Sequence, residues 1–199
     1  MAYPQSVFAE FGFIASQPNV TSLFSALFLH QGILYLLPNA MFLFIFGKQV
    51  EDASGHMLLL VVFMVSGLAG SGLFYFLNRA ATIPCTGANG AVAGIVAAFW
   101  IMFPDSLFDV IRCAGPLGWW HVTTFKSNTL AAMAAWLGWQ LIVALVEDRL
   151  PESFLLWSNI GGFVAGLVMA LSLQPAIQRQ LREKPRAAEP ASSVRTPGP

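Results

Sequence analysis

Hydrophobic positions run through this chain in long blocks. No Asp, Glu, Lys or Arg interrupts residues 11–47, 53–78, 80–104 or 153–178, and a shorter charge-free block covers 127–146. Roughly 20 apolar helical residues cross the ~30 Å hydrocarbon layer, so each block supplies a crossing. The first block is too long for one helix and too short for two. Its second half, 31–47, is read as the helix, and 20–30 as an apolar segment lying at or dipping into the membrane face. The predicted fold is all-α: a polytopic membrane helix bundle with five transmembrane helices. Three regions follow: an outer N-terminal segment and membrane-dipping loop (1–30), a transmembrane core (31–175) and a tail (176–199). The tail, rich in Pro, Ala, Arg and Ser, is expected to be disordered, because it cannot bury enough apolar surface to fold.

Composition agrees with the blocks. Hydrophobic residues make up 56% of the 199 and charged residues 10%, where a soluble domain carries ~25% charged. The zero net charge argues against a nucleic-acid partner. The expected partner is the lipid bilayer, and the oligomeric state is left open. Residues 1–19 lack the basic start and compact apolar core of a cleavable signal, and no repeat of 20–50 residues is visible.

Basic residues collect in cytoplasmic loops. Five alternating spans put Lys48, Arg112, Lys126, Arg179, Arg182, Lys184, Arg186 and Arg195 on one side, and only Arg79 and Arg149 on the other. The N-terminus is therefore expected outside and the C-terminus in the cytoplasm of a multi-pass protein, with a bacterial inner membrane as the expected home. Cys85 and Cys113 fall at opposite faces and cannot pair. The loop 104–126 carries Trp119, Trp120 and His121, read as an interfacial anchor.

Close packing in lipid depends on small residues. Gly90, Gly94 and Ala98 recur every four residues, and so do Gly162, Gly166 and Ala170. Residues four apart share a helix face, so these stripes are expected to face each other. Asn89 and Asn159 lie at the same end of the two stripes. With Asn39 and Tyr35 they are expected to converge at one depth, either as interhelical hydrogen bonds or as a polar site.

These residues resemble the rhomboid intramembrane serine proteases. His30-Gln31-Gly32 followed by Tyr35 and Asn39 is similar to the family's His-x-Gly-x-x-His-x-x-x-Asn pattern. Gly47, Glu51 and Gly55 resemble its Gly-x-x-x-Glu-x-x-x-Gly turn. Gly87-Ala88-Asn89-Gly90 resembles the Gly-x-Ser-Gly nucleophile motif. Ser158-Asn159-Ile160-Gly161-Gly162 with Gly166 resembles the last-helix Ala-His-x-x-Gly-x-x-x-Gly. The resemblance covers roughly residues 10–174 and implies structural roles for His30, Gly32, Glu51, Gly55, Gly87, Gly90, Gly94, Gly162 and Gly166. The family's usual first span has no counterpart here: either this is a five-span form or the reading frame starts late.

The departures fall on the chemistry. The nucleophile position is Asn89, the base position Asn159, and one oxyanion position Tyr35, leaving Asn39 of that pair. A carboxamide neither titrates nor attacks at neutral pH, and acyl transfer needs both nucleophile and base. No catalytic residues, metal or cofactor are therefore expected. The expectation is a rhomboid-like pseudoprotease that binds transmembrane clients without cleaving them. Two alternatives stand beside it: a hydrolase with a relocated Cys85–His30 or Thr86–His30 pair, and a structural subunit of a larger membrane complex.

Overall fold

The computed structural model describes residues 5–104, 107–114, 121–128, 131, 134, 138 and 154–183. The fifth charge-free block, Trp119, Trp120 and the tail beyond Glu183 lie almost entirely outside the described residues.

Two short helices, α1 (Gln5–Phe11) and α2 (Val20–Ser25), precede the bundle. The side chain of Asn19 caps α2 by accepting from the Thr21 N–H at 2.8 Å. The 20–30 segment is thus a six-residue helix followed by tight turns through Leu29.

The next rod is continuous. α3 (Ile33–Phe42) passes into a π-helical turn (Leu43–Gly47) and then into α4 (Lys48–Ser54). The helix expected to end at 47 therefore runs a further two turns. Gly55, at φ 88°, breaks it, because only glycine takes that left-handed conformation without cost. α5 (His56–Leu77) follows, its 22 residues spanning about 33 Å. α6 (Asn89–Met102) is shorter, at 14 residues. Every residue from Gly90 to Phe99 is buried, so α6 is the axis of the bundle.

The all-α expectation needs correction at 104–126. β1 (Leu107–Ala114) pairs antiparallel with β2 (His121–Asn128), from Leu107 opposite Asn128 to Ala114 opposite His121. Val110, Ile111, Val122, Thr123 and Thr124 are β-branched, and Gly115-Pro116 punctuates between the arms. That is a hairpin signal, overlooked because the apolar blocks dominate the pattern.

The last helix, α7 (Phe154–Glu183), runs through Pro175 past the expected boundary. Among the described residues, α5 and the Phe154–Pro175 part of α7 are long and apolar enough to cross a membrane.

The small-residue seam is present. A Cβ on Gly162 would strike the Gly90 backbone, and one on Gly166 would strike the Gly94 backbone. Position 90 faces 162 and 94 faces 166, so α6 and α7 run parallel. α5 runs antiparallel to both: Ser66 lies against Gly94, and Gly70 lies against Gly90 and Ser158. Below the seam, Phe46 stacks on Phe99 at 5.0 Å and on Phe42 at 5.7 Å. This aromatic column is what ties the lower part of the α3–α4 rod to α6.

Candidate functional site

The chain between α5 and α6 folds back over one end of the bundle. Phe13 and Cys85 exchange backbone hydrogen bonds of 2.9 and 2.8 Å, and Ser16 N–H donates to the Ala81 carbonyl at 3.0 Å. Gly87 N–H donates to the Ala26 carbonyl at 2.8 Å. Gly87 has φ 116°, and a side chain there would press on the Asn89 amide. These bonds deliver Asn89 to the N-terminus of α6, at the floor of a cavity of about 420 Å³. Its polar side carries His30, Gln31, Tyr35, Asn39, Thr86 and Asn89; Phe74, Ile83, Phe154 and Leu155 supply the apolar side.

Asn39 is the junction. Its Nδ2 donates to Asn89 Oδ1 at 3.0 Å and to the Tyr35 carbonyl at 3.2 Å, and lies 3.3 Å from His30 Nε2. Two amide hydrogens thus face three acceptors. Pro38, inside α3, has no N–H to donate, so α3 lacks one backbone bond next to Asn39.

His30 has a defined proton arrangement. The Ala88 N–H can only donate, and it points at His30 Nε2 at 3.4 Å. The ring proton therefore sits on Nδ1, 3.4 Å from the Phe28 carbonyl. Burial pulls the imidazole below its ordinary value of 6.5, outweighing the opposite effect of the Phe28 bond.

The expected convergence of three amides and a phenol is met by Asn39 and Asn89 alone. Tyr35 lines the cavity with an exposed side chain and joins the network only through its carbonyl. Asn159 is 4% exposed, away from the cavity lining, and both its amide atoms lack a partner among the described residues. The hydroxyls of Ser158, Ser66, Ser71 and Thr86 share that condition. The ring of His30, by contrast, is more central than its sequence position suggested. The signal available was its spacing, nine residues before Asn39.

Of the structural residues, Gly32 precedes α3 in extended backbone, with nothing within 4 Å of where a Cβ would stand. The Glu51 carbonyl accepts from Gly55 N–H at 2.7 Å, and the Glu51 carboxylate meets the His56 ring.

Cys85 is buried, its thiol donates to the Ile83 carbonyl at 3.5 Å, and desolvation pushes the thiol up to about 12. The lone pair of His30 Nε2 receives the Ala88 N–H at 3.4 Å.

Apolar helices packed beside a cavity of mixed polar and apolar lining fit a helical membrane protein. Residues 17–176 match the Rhomboid domain family, and the chain belongs to the rhomboid family. Members are integral membrane proteins, typically serine intramembrane proteases. The chain is 30% identical to RHOMBOID-like protein 1 of Arabidopsis thaliana over 158 residues, which is 78% of this chain and 35% of that protein. It is 29% identical to RHOMBOID-like protein 6, mitochondrial, of the same plant over 160 residues (77% and 44%). It is 27% identical to Rhomboid protein 1, mitochondrial, of Saccharomyces cerevisiae over 171 residues (84% and 46%). The chain thus spans less than half the length of these relatives. Two of them are named mitochondrial, so the relatives lend no support to a bacterial inner membrane.

Proposed function

We propose that this protein is a rhomboid pseudoprotease: it presents the cavity to transmembrane segments of client proteins and does not cleave them. The observation that carries this reading is the Asn39–Asn89 bond. The residue at the family's nucleophile position is a carboxamide whose oxygen is engaged at 3.0 Å. Its Nδ2 retains donors for a client's backbone carbonyls. The two relocated pairs lose ground here, since Cys85 is held protonated and the Nε2 of His30 is occupied.

The proposal includes five spans with the N-terminus outside. Parallel α6 and α7 require the chain between Met102 and Phe154 to return to the face where α6 began. The charge-free block 127–146 has the length for that return.

Two assays test the reading. Purified protein in nanodiscs is incubated with a fluorophosphonate probe and with a model transmembrane substrate; neither labelling nor cleavage is expected. A photoreactive residue at position 89 is expected to crosslink membrane-protein clients in native membranes. Cleavage abolished by Cys85→Ala or Thr86→Ala would overturn the pseudoprotease assignment. A single constant partner at fixed stoichiometry on native gels would replace client binding with a subunit role.

A further inference from the structure

One end of α3 is held by polar contacts rather than by packing. Ile33, Tyr35 and Leu37 are each at least 60% exposed, and Leu36 and Met41 are exposed as well. The aromatic column involving Phe42, Phe46 and Phe99 begins only lower down. Near the cavity, α3 and the turn before it reach α6 through three side chains: His30 to Ala88 N–H, and Asn39 to both His30 and Asn89.

We propose that His30 is a proton-operated latch, whose neutral ring fastens the cavity end of α3 to the start of α6 and whose protonated ring releases it. The argument is one of donors and acceptors. Neutral His30 offers one lone pair, at Nε2, and both Ala88 N–H and Asn39 Nδ2 are aimed at it. Protonation replaces that lone pair with a hydrogen, so two donors face a third. Ala88 N–H loses its acceptor. Turning the Asn39 amide over would give the ring an oxygen, but would set that oxygen against the Tyr35 carbonyl and Asn89 Oδ1. Both accommodations weaken the tie between α3 and α6.

The surroundings supply no counter-charge among the described residues. Facing the cavity with His30, α3 brings the Tyr35 phenol and the 78–88 loop the Cys85 thiol. α5 brings Phe74, α6 brings Asn89, and α7 brings Phe154 and Leu155, none of which titrates. Glu10 sits on exposed α1 and is not in the lining. The Arg79 guanidinium lies over the Tyr75 and Phe76 rings, at 5.5 and 5.6 Å from their centroids. With no carboxylate to stabilise an imidazolium, burial keeps the ring neutral until the pH falls below 6.5. The latch holds whether or not the cavity contains a client.

The test is a distance. Spin labels at exposed Leu36 on α3 and exposed Ile83 in the 78–88 loop that lines the cavity, in a Cys85→Ala, Cys113→Ser background in nanodiscs, report their separation by double electron–electron resonance at pH 8 and pH 5. The expected result is a reversible shift to longer, broader distances with a midpoint below 6.5, absent in His30→Gln, whose amide oxygen accepts at either pH. Identical distributions at the two pH values would overturn the latch, as would an unchanged response in His30→Gln. The ring nitrogens of His30, followed by NMR in the wild-type chain, provide the second measurement. They are expected to show the Nδ1–H form at pH 8 and to titrate together with the distance; a titration at a different pH from the distance change would also overturn the latch.

Discussion

Asn39 Nδ2 donates to Asn89 Oδ1 across 3.0 Å, joining two helices whose residues lie 50 positions apart in the chain. The bond involves the position that the sequence resemblance matches to a rhomboid nucleophile. An interhelical hydrogen bond in a membrane is worth about 0.6 kcal/mol on average, and up to about 1.7. Asn89→Ala is expected to lower stability within that range. Asn39→Ala removes the donor to three acceptors and is expected to cost more. Thermal unfolding in nanodiscs, arranged as a double-mutant cycle, reads the coupling directly.

The glycine seam gives a sharper contrast. Gly162→Ala places a methyl on the Gly90 backbone, which cannot turn aside. Helix separation is expected to cost about 1–3 kcal/mol or more. Gly72 has nothing within 4 Å of where its Cβ would stand, so Gly72→Ala is expected to be neutral or to stabilise by about 0.5–1 kcal/mol. Comparable losses from the two substitutions would contradict the packing described here.

Cys85 makes a prediction about reactivity and pH. With its thiol raised to about 12 from an ordinary 9.0, maleimide labelling in a Cys113→Ser background is expected to be slow in the folded protein and complete on denaturation. The linkage sign follows from the direction of the shift. The folded chain keeps the proton that the unfolded chain releases above 9.0, so this group's contribution to stability is lost as pH rises from 9.0 towards 12. Fast labelling of the native protein at pH 7.5 would place the thiol outside its buried wall.

Gly87→Ala combines two penalties. The backbone sits at φ 116°, where an L-residue is strained by about 1–3 kcal/mol, and the new methyl meets the Asn89 amide. The variant is expected to be destabilised in thermal unfolding and to weaken the Asn39–Asn89 contact. Full stability in this variant would show that the turn can relax without disturbing the cavity.

The parts of this molecule that were legible in its sequence are those set by spacing. Gly90 and Gly94 against Gly162 and Gly166 could be paired because four-residue periodicity fixes a helix face before any contact is known. The turn at Glu51 and Gly55 was legible only through the resemblance to the family's motif. The depth of Asn159 was not legible. Shared position along two stripes says nothing about which way a side chain points around its helix, and Asn159 is buried outside the lining that carries Asn89. The hairpin from Leu107 to Asn128 was masked by a reading keyed to apolar length, although its β-branched residues were in plain view. For His30 the sequence offers a structural role implied by the resemblance. Its role as a shared acceptor depends on Ala88, 58 positions away, and no local pattern encodes that.

The π turn at Leu43–Gly47 acts on everything downstream as a change of phase. A π turn holds one residue more than an α turn, and one residue is about 100° of rotation around the axis. Val50 and Ala53 are buried, while Lys48 and Asp52 are exposed and pair at 3.4 Å. That orientation is inherited from the count of residues above them as much as from their own hydrophobicity. Deleting one residue between 43 and 47 would leave composition nearly unchanged and the helix unbroken, yet would rotate the charged edge of α4 toward the bundle. In this rod, residue number carries positional information that residue type alone does not.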